Sequence, residues 1–316
     1  MSRDAIEAEI TLDENSLVPG ERATLRFRMN ARESVRVRGA HVSFAGFEET
    51  KAVYTSSNGK TTTTHTATER NSLVEAKKTF KGQAPAGFFH NLADGAKTLL
   101  GGGEHEELPR GSHDVVLEVD LPADLPESFK AKKIRVAYEA SIHLDIPAGR
   151  DFRQTVAFDG PSAARDETPE LHALTIRYPE DSGRGFFDSV FGPDVSMRVN
   201  LNTTVIARGG RLSGELEVRF KDKPPTIKAV VCALIRREKS EARGHRDGHS
   251  ETLVSERLPQ RESTSNSLFV AFEVRVPDEM IADRSGAKFT LSHELAVSLD
   301  VPWAKDPTIR IPVVVV

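Results

Sequence analysis

The residues whose types and spacing come closest to chemistry are His245, Asp247 and His249, in the run His245-Arg-Asp-Gly-His249. Two imidazoles and a carboxylate are ligands that zinc takes, and a loop folding back on itself would aim all three at one ion. The same run suits the polar tip of a hairpin between Gly244 and Gly248, and that solvated tip is the preferred reading. The sole cysteine, Cys232, lies in the apolar stretch Ala229-Val-Val-Cys-Ala-Leu-Ile235, where burial raises a thiol's pKa and leaves it inert. One cysteine also excludes a disulfide or a Cys-based zinc site within one chain and fits a reducing, cytoplasmic compartment. His105-Glu-Glu107 follows Gly101 to Gly103 without the Gly-Lys-Ser/Thr ending of a phosphate loop, so it reads as connector. The sequence has no G-x-S-x-G elbow, no H-E-x-x-H pair and no calcium loop of EF-hand spacing. No catalytic residue, resident metal or cofactor is expected.

Lys77, Lys78 and Lys81 form one basic run, and Lys132 and Lys133 sit in a second, Lys130 to Arg135. Together they are candidates for an anionic partner, although a charge run is more often a solvated face. A net charge of −4 with a pI near 6.2 gives no pull toward nucleic acid. No stretch approaches the roughly 18 apolar residues of a membrane helix, and Met1-Ser-Arg-Asp-Ala has no apolar leader core, so no integral membrane segment is expected. Peripheral membrane contact stays open. Phe186, Phe187, Val190 and Phe191 are costly to leave in water and read as a plug between modules or as a docking motif. Asn202-Thr-Thr204 matches a glycosylation sequon but reads as strand sequence.

The elements that must position these residues are strands. Val136, Tyr138, Ala140, Ile142, Leu144 and Ile146 alternate with Arg135, Glu139, Ser141, His143 and Asp145, the period of two that half-buries an antiparallel strand. Leu291, His293, Leu295, Val297, Leu299 and Val301 repeat the pattern 155 residues on, which puts His293 inside a core, where a hydrogen-bonded histidine is expected. EVDLPADLPESF at 118 to 129 returns as EVRVPDEMIADR at 273 to 284, at the same shift. Ile10, Leu12, Leu17, Gly20 and Arg22 return as Val199, Leu201, Ile206, Gly209 and Arg211, 189 residues on. The chain therefore reads as all-β, two copies of one antiparallel immunoglobulin-like sandwich at 1–160 and 193–316 joined by a connector at 161–192. The two shifts differ by 34 residues, so the first copy carries that surplus in its middle. Within the surplus, Phe88, Phe89, Leu92, Ala93, Ala96, Leu99 and Leu100 recur at helical spacing, which predicts one short helix over 86–100, packed on a sheet face or docking elsewhere.

On ITLDENSLVPGE at 10 to 21, LPRGSHDVVLEVDLPADLPESF at 108 to 129, VAYEASIHL at 136 to 144 and their second-copy counterparts, the chain resembles the arrestin-like superfamily. Bacterial arrestin-like proteins are among the candidates. The resemblance implies two related β-sandwiches with one helix on the first, and a non-enzymatic adaptor that binds a protein or peptide partner in signalling or trafficking. A trafficking subunit of the retromer type is the runner-up, and a metal-binding module or enzyme using His245, Asp247 and His249 is the alternative from another class. Arg177 stands at a place similar to the family's phosphate-sensing arginine, where a bidentate guanidinium exchanges carboxylate for phosphate. A strand-end surface arginine is the preferred reading. Asp4-Ala-Ile-Glu7-Ala-Glu9 is acidic where arrestins carry paired lysines, His249 to Asn266 shows no lariat-like loop, and Asp306 to Val316 corresponds to the closing strand of the first copy. These departures favour a constitutive scaffold over a phosphate-triggered cycle.

Overall fold

The computed structural model describes residues 6–14, 16–82, 106–147, 150–161, 174–178, 195–221, 226–259, 266–302 and 306–316. Among the described residues every regular element is a strand. They run β1 (Ile6–Leu12), β2 (Arg22–Ala31), β3 (Val35–Val37), β4 (Gly39–Ser57), β5 (Thr62–Gly82), β6 (Glu106–Leu108), β7 (Gly111–Asp120), β8 (Phe129–Lys130), β9 (Ile134–Asp145) and β10 (Phe152–Phe158). Then follow β11 (Leu174–Tyr178), β12 (Val195–Leu201), β13 (Val205–Ile206), β14 (Arg211–Phe220), β15 (Ala229–Ala242), β16 (His245–Pro259), β17 (Ser267–Arg275), β18 (Arg284–Ser285), β19 (Phe289–Asp300) and β20 (Thr308–Val315). The helix expected over 86–100 lies outside the described residues, as do Phe186, Phe187 and Phe191. By its contacts the chain divides into two units, one of Met1–Glu49, Glu69–Ala131 and Arg135–Ala164, the other of Thr50–Thr68, Lys132–Ile134 and Arg165–Val316.

One topology occurs twice. The sheets β1-β2-β7 and β10-β9-β4-β5, with β8 on β9, have counterparts in β12-β14-β17 and β20-β19-β15-β16, with β18 on β19. Register is duplicated as well. Ile10 faces Phe27 across β1 and β2, and Val199 faces Leu216, each 189 residues on. Phe158 faces Tyr138 and Val313 faces His293, each 155 on. The β2–β7 and β14–β17 ladders carry one shift on each strand, so that Arg28 opposite Asp114 becomes Glu217 opposite Phe269. The shift changes between β2 and β7, where β4 and β5 run to 19 and 21 residues against 14 and 15 in β15 and β16. The longer hairpin thus accounts for part of the surplus.

Alternation explains why these registers are fixed. Phe27, Phe44, Tyr138, Ile142 and Leu144 fill the first core, and Val199, Leu216, Cys232, Leu295 and Val297 the second. Each such side chain contributes about 1.5–3 kcal/mol by leaving water, and a slip of one residue would turn the whole set outward. One polar position recurs in both interiors. The Tyr138 hydroxyl donates to the Pro126 carbonyl at 2.6 Å, and its counterpart His293 holds Asp283 Oδ1 at 2.6 Å through Nδ1. A Cβ on Gly160 would stand 2.4 Å from the Ser128 backbone nitrogen and 2.7 Å from the Tyr138 ring, whereas the corresponding residue of the second copy is the fully buried Val315, whose N–H is bonded to the same Asp283 that holds His293.

On the outer side of β4, His41 meets the His143 ring edge-on at 4.8 Å. Burial, followed by the charges of Lys77, His143 and Arg153, holds the His41 imidazole down to about 4 from its ordinary 6.5. The unfolded chain therefore binds this proton first, so stability falls as pH drops from about 6.5 toward about 4 and levels off below. A His41→Gln variant is expected to lose that part of the slope, seen as a smaller drop in urea midpoint between pH 7.5 and pH 4.5. Equal drops in the two proteins would contradict it.

Candidate functional site

The most elaborate polar constellation in the described residues is on one face of the β15–β16 hairpin, within the second unit. Alternation along β15 puts Cys232 and Leu234 in the core, and the same parity continues through Arg236, Glu238, Ser240 and Ala242. The turn is Arg243-Gly244, with φ of 51° and 79°, the pair of left-handed residues that a two-residue hairpin turn demands. His245 is therefore already strand, and His245, Asp247 and His249 lie on one face opposite Ala242, Ser240 and Glu238.

This face holds the two other stretches of its unit, Thr50–Thr68 and Lys132–Ile134. The Thr50 hydroxyl donates to the Glu241 carbonyl at 2.7 Å, and the Ser240 hydroxyl donates to the Lys51 carbonyl at 2.6 Å. Asp247 Oδ2 accepts the Val53 N–H at 2.8 Å and the Lys133 ammonium at 2.5 Å. Glu238, its side chain wholly buried, accepts the N–H of Lys133 at 2.8 Å and of Lys132 at 3.4 Å, with Arg236 Nε 3.3 Å away. The Tyr54 ring stacks flat on His245 with centroids 3.6 Å apart, and His65 stacks on Tyr54 at 5.2 Å. Ala52, Ala67 and Ala242 close the small apolar patch beneath. Backbone groups that would otherwise be orphaned are met by side chains, the condition for burying irregular chain.

Such an arrangement holds a chain segment in place. His245, Asp247 and His249 do share a face, but Asp247 is committed to Lys133 and Val53 and His245 lies flat under Tyr54. Among the described residues no group of three or more His, Cys, Asp and Glu converges as a metal ion needs. Cys232 is fully buried, and burial, aided by Glu256, pushes its thiol up to about 12. Beside the network an open groove of about 610 Å³ is lined by Lys239, Glu241, Arg246, Asp247, Lys288 and Phe289 among others, with Arg246 bonded to Glu241 at 2.8 Å.

The other sequence-derived candidates do not converge on this face as one set. Lys77, Lys78 and Lys81 lie on β5 in the first unit, where Lys78 donates to the Val116 carbonyl at 3.0 Å and Lys81 stands 3.7 Å from Glu106. Lys132 and Lys133 belong to the second unit, and the Lys133 ammonium is the buried partner of Asp247. Arg177 lies in β11 opposite Arg198 of β12. Phe186, Phe187 and Phe191 fall outside the described residues. Glu238 and the Tyr54 stack are what sequence reasoning missed. The available signal was parity: Glu238 and Ser240 continue the inward face of Cys232 and Leu234, and a charged residue there requires a partner.

Residues 40–159 match the Arrestin (or S-antigen), N-terminal domain, a span running from β4 through β10. The match supports an arrestin-like assignment for that segment. No curated protein matches the chain.

The Lys133–Asp247 pair is testable as a stability element, since the two side chains are only 13% and 19% exposed. Burial pushes the Asp247 carboxyl up, but hydrogen bonds from Lys133 and from the Val53 and Gly248 N–H groups outweigh it, and the net shift is downward from 3.8. A double-mutant cycle with Lys133→Met and Asp247→Asn should return a coupling of about 1–3 kcal/mol. That coupling holds at and above pH 5, where the carboxylate is ionised folded or unfolded, and fades as acid carries the pH below about 3.8 through the lowered folded value. A coupling near zero at pH 7 would remove the pair from the account.

Proposed function

We propose that the chain is a non-catalytic adaptor or scaffold that binds protein or peptide partners through its two β-sandwiches, in cytoplasmic signalling or protein trafficking. The arrestin N-terminal match over 40–159 is the observation that carries this reading. Two further observations support it. The polar network on the β15–β16 hairpin joins side chains to backbone in bonds that hold a surface still, with Asp247 and His245 already engaged. The β4–β5 hairpin extends beyond its second-copy counterpart into an exposed tip, Thr55 to Thr64, where Asn58 Oδ1 accepts the N–H groups of Lys60 and Thr61 to shape the turn. A shaped, exposed tip on a rigid sandwich is the usual way such scaffolds present a binding surface. Among the described residues no helix is long and apolar enough to cross a membrane.

A photoreactive residue at Thr63, introduced into the full chain and illuminated in living cells of its source, is expected to give discrete covalent adducts with one or a few proteins. Adducts spread over abundant proteins in proportion to their abundance would count against the adaptor reading.

A further inference from the structure

The duplication supplies an internal comparison of two equivalent sheet edges, β7 in the first unit and β17 in the second. Each ends its sheet among the described residues, so the backbone groups on its far side have no strand partner there. An open edge invites pairing with another chain unless charges or a covering group blunt it. The first edge is blunted. Asp114 bonds Arg28 at 3.1 Å, Glu118 and Asp120 meet Arg22 at 3.4 and 2.8 Å, and the Val116 carbonyl is taken by the Lys78 ammonium at 3.0 Å.

The second edge keeps one of these guards, Arg211 with Glu273 at 2.9 Å in the place of Arg22 with Glu118, and has lost the others along Phe269 to Ala271. Asp114 is replaced by Phe269, which is 66% exposed and has the largest exposure among the big apolar side chains of the described residues. Arg28 is replaced by Glu217, which turns away from the edge to Arg198 at 3.6 Å and Arg219 at 2.6 Å. Val116 is replaced by the small Ala271, and among the described residues no side chain donates to its carbonyl. One strand in from Ala271, Arg26 is replaced by Glu215, an exposed carboxylate without an ion pair among the described residues. Phe269, Ala271 and Glu215 share the outer face of the sheet.

We propose that β17 is a docking edge for an extended peptide segment, which adds as a further strand with an aromatic or β-branched side chain beside Phe269 and, two residues along, a lysine or arginine against Glu215. The proposal rests on the adaptor reading above and names its partner's chemistry. The added strand supplies main-chain hydrogen bonds, and its alternate side chains supply the selectivity. Two strand spacings, about 10 Å, separate the added strand from β14. An extended lysine reaching across the small Ala271 toward the glutamate of β14 spans that distance, whereas a larger residue at 271 would stand in the way. An aromatic cross-strand neighbour covers the ring that Phe269 leaves in water.

The test uses the full chain and a phage-displayed library of random decapeptides. Selected peptides are expected to share an aromatic or β-branched residue two positions from a lysine or arginine, and to slow exchange of the edge-facing amides within Ser267–Arg275. Phe269→Asp, which restores the residue type of the first edge at an exposed position, should weaken binding about tenfold or more while leaving the thermal midpoint unchanged. Glu215→Lys should weaken the same peptides and admit variants carrying an acid in place of the base. Three results would each overturn the proposal: peptides indifferent to Phe269→Asp, edge-facing amides of β17 already protected in the free chain, or protection that rises with protein concentration alone, which would make a second copy the occupant. Peptides that bind and protect another strand would remove β17 from the account while leaving the adaptor reading standing.

Discussion

Everything in this chain depends on a strict two-residue period whose buried half must all face one way. In β9 and β19 the inward set, Val136 to Leu144 and Leu291 to Leu299, is fixed by pairing to β10 and β20. A slip by one residue would put Tyr138 or His293 in water and Glu139 or Glu294 in the core, exchanging several side-chain burials for unpaired buried charges. That penalty is why register survives in both copies although few residues remain identical.

The same period, continued past the core, builds the polar network. Along β15 the face that is apolar at Cys232 and Leu234 becomes Arg236, Glu238 and Ser240 without a change of direction. Glu238 and Ser240 remain buried because the N–H groups of Lys132 and Lys133 meet the carboxylate and the Lys51 carbonyl accepts the hydroxyl, while Arg236 pairs with Glu238 and Glu251. A buried charge stripped of its partner is expensive, so the network acts as a matched set that accepts one arrangement of its segments. Holding of this kind suits a scaffold whose surfaces must stay put for others to bind.

Much of the architecture was legible in the sequence because alternation and duplication are local signals. The shifts of 155 and 189 read from residue types reappear as Cα pairings. The buried histidine at 293 was legible for the same reason, its inward parity demanding a partner that Asp283 supplies. The site was less legible, because its contacts join residues more than 100 positions apart: Lys133 with Asp247, and Glu238 with the N–H groups of Lys132 and Lys133. Read locally, Lys132 and Lys133 form a basic run and Asp247 belongs to a solvated hairpin tip, with metal binding as the alternative. Only the fold shows that one of these lysines and the aspartate are partners. Phe269 lies in the outward half of an alternating strand, and only its counterpart, the salt-bridged Asp114, marks its exposure as a departure.

The central claim is that both halves keep one register, and cross-strand NOEs in the deuterated full chain test it most directly. The duplicated pairing predicts contacts of Ser141 with Thr155 in the first half and of Ala296 with Arg310 in the second, as the Cα partners require. Contacts of Ser141 with Val156, or of Ala296 with Ile311, as the dominant pairs in either half would show a slipped register and contradict the account.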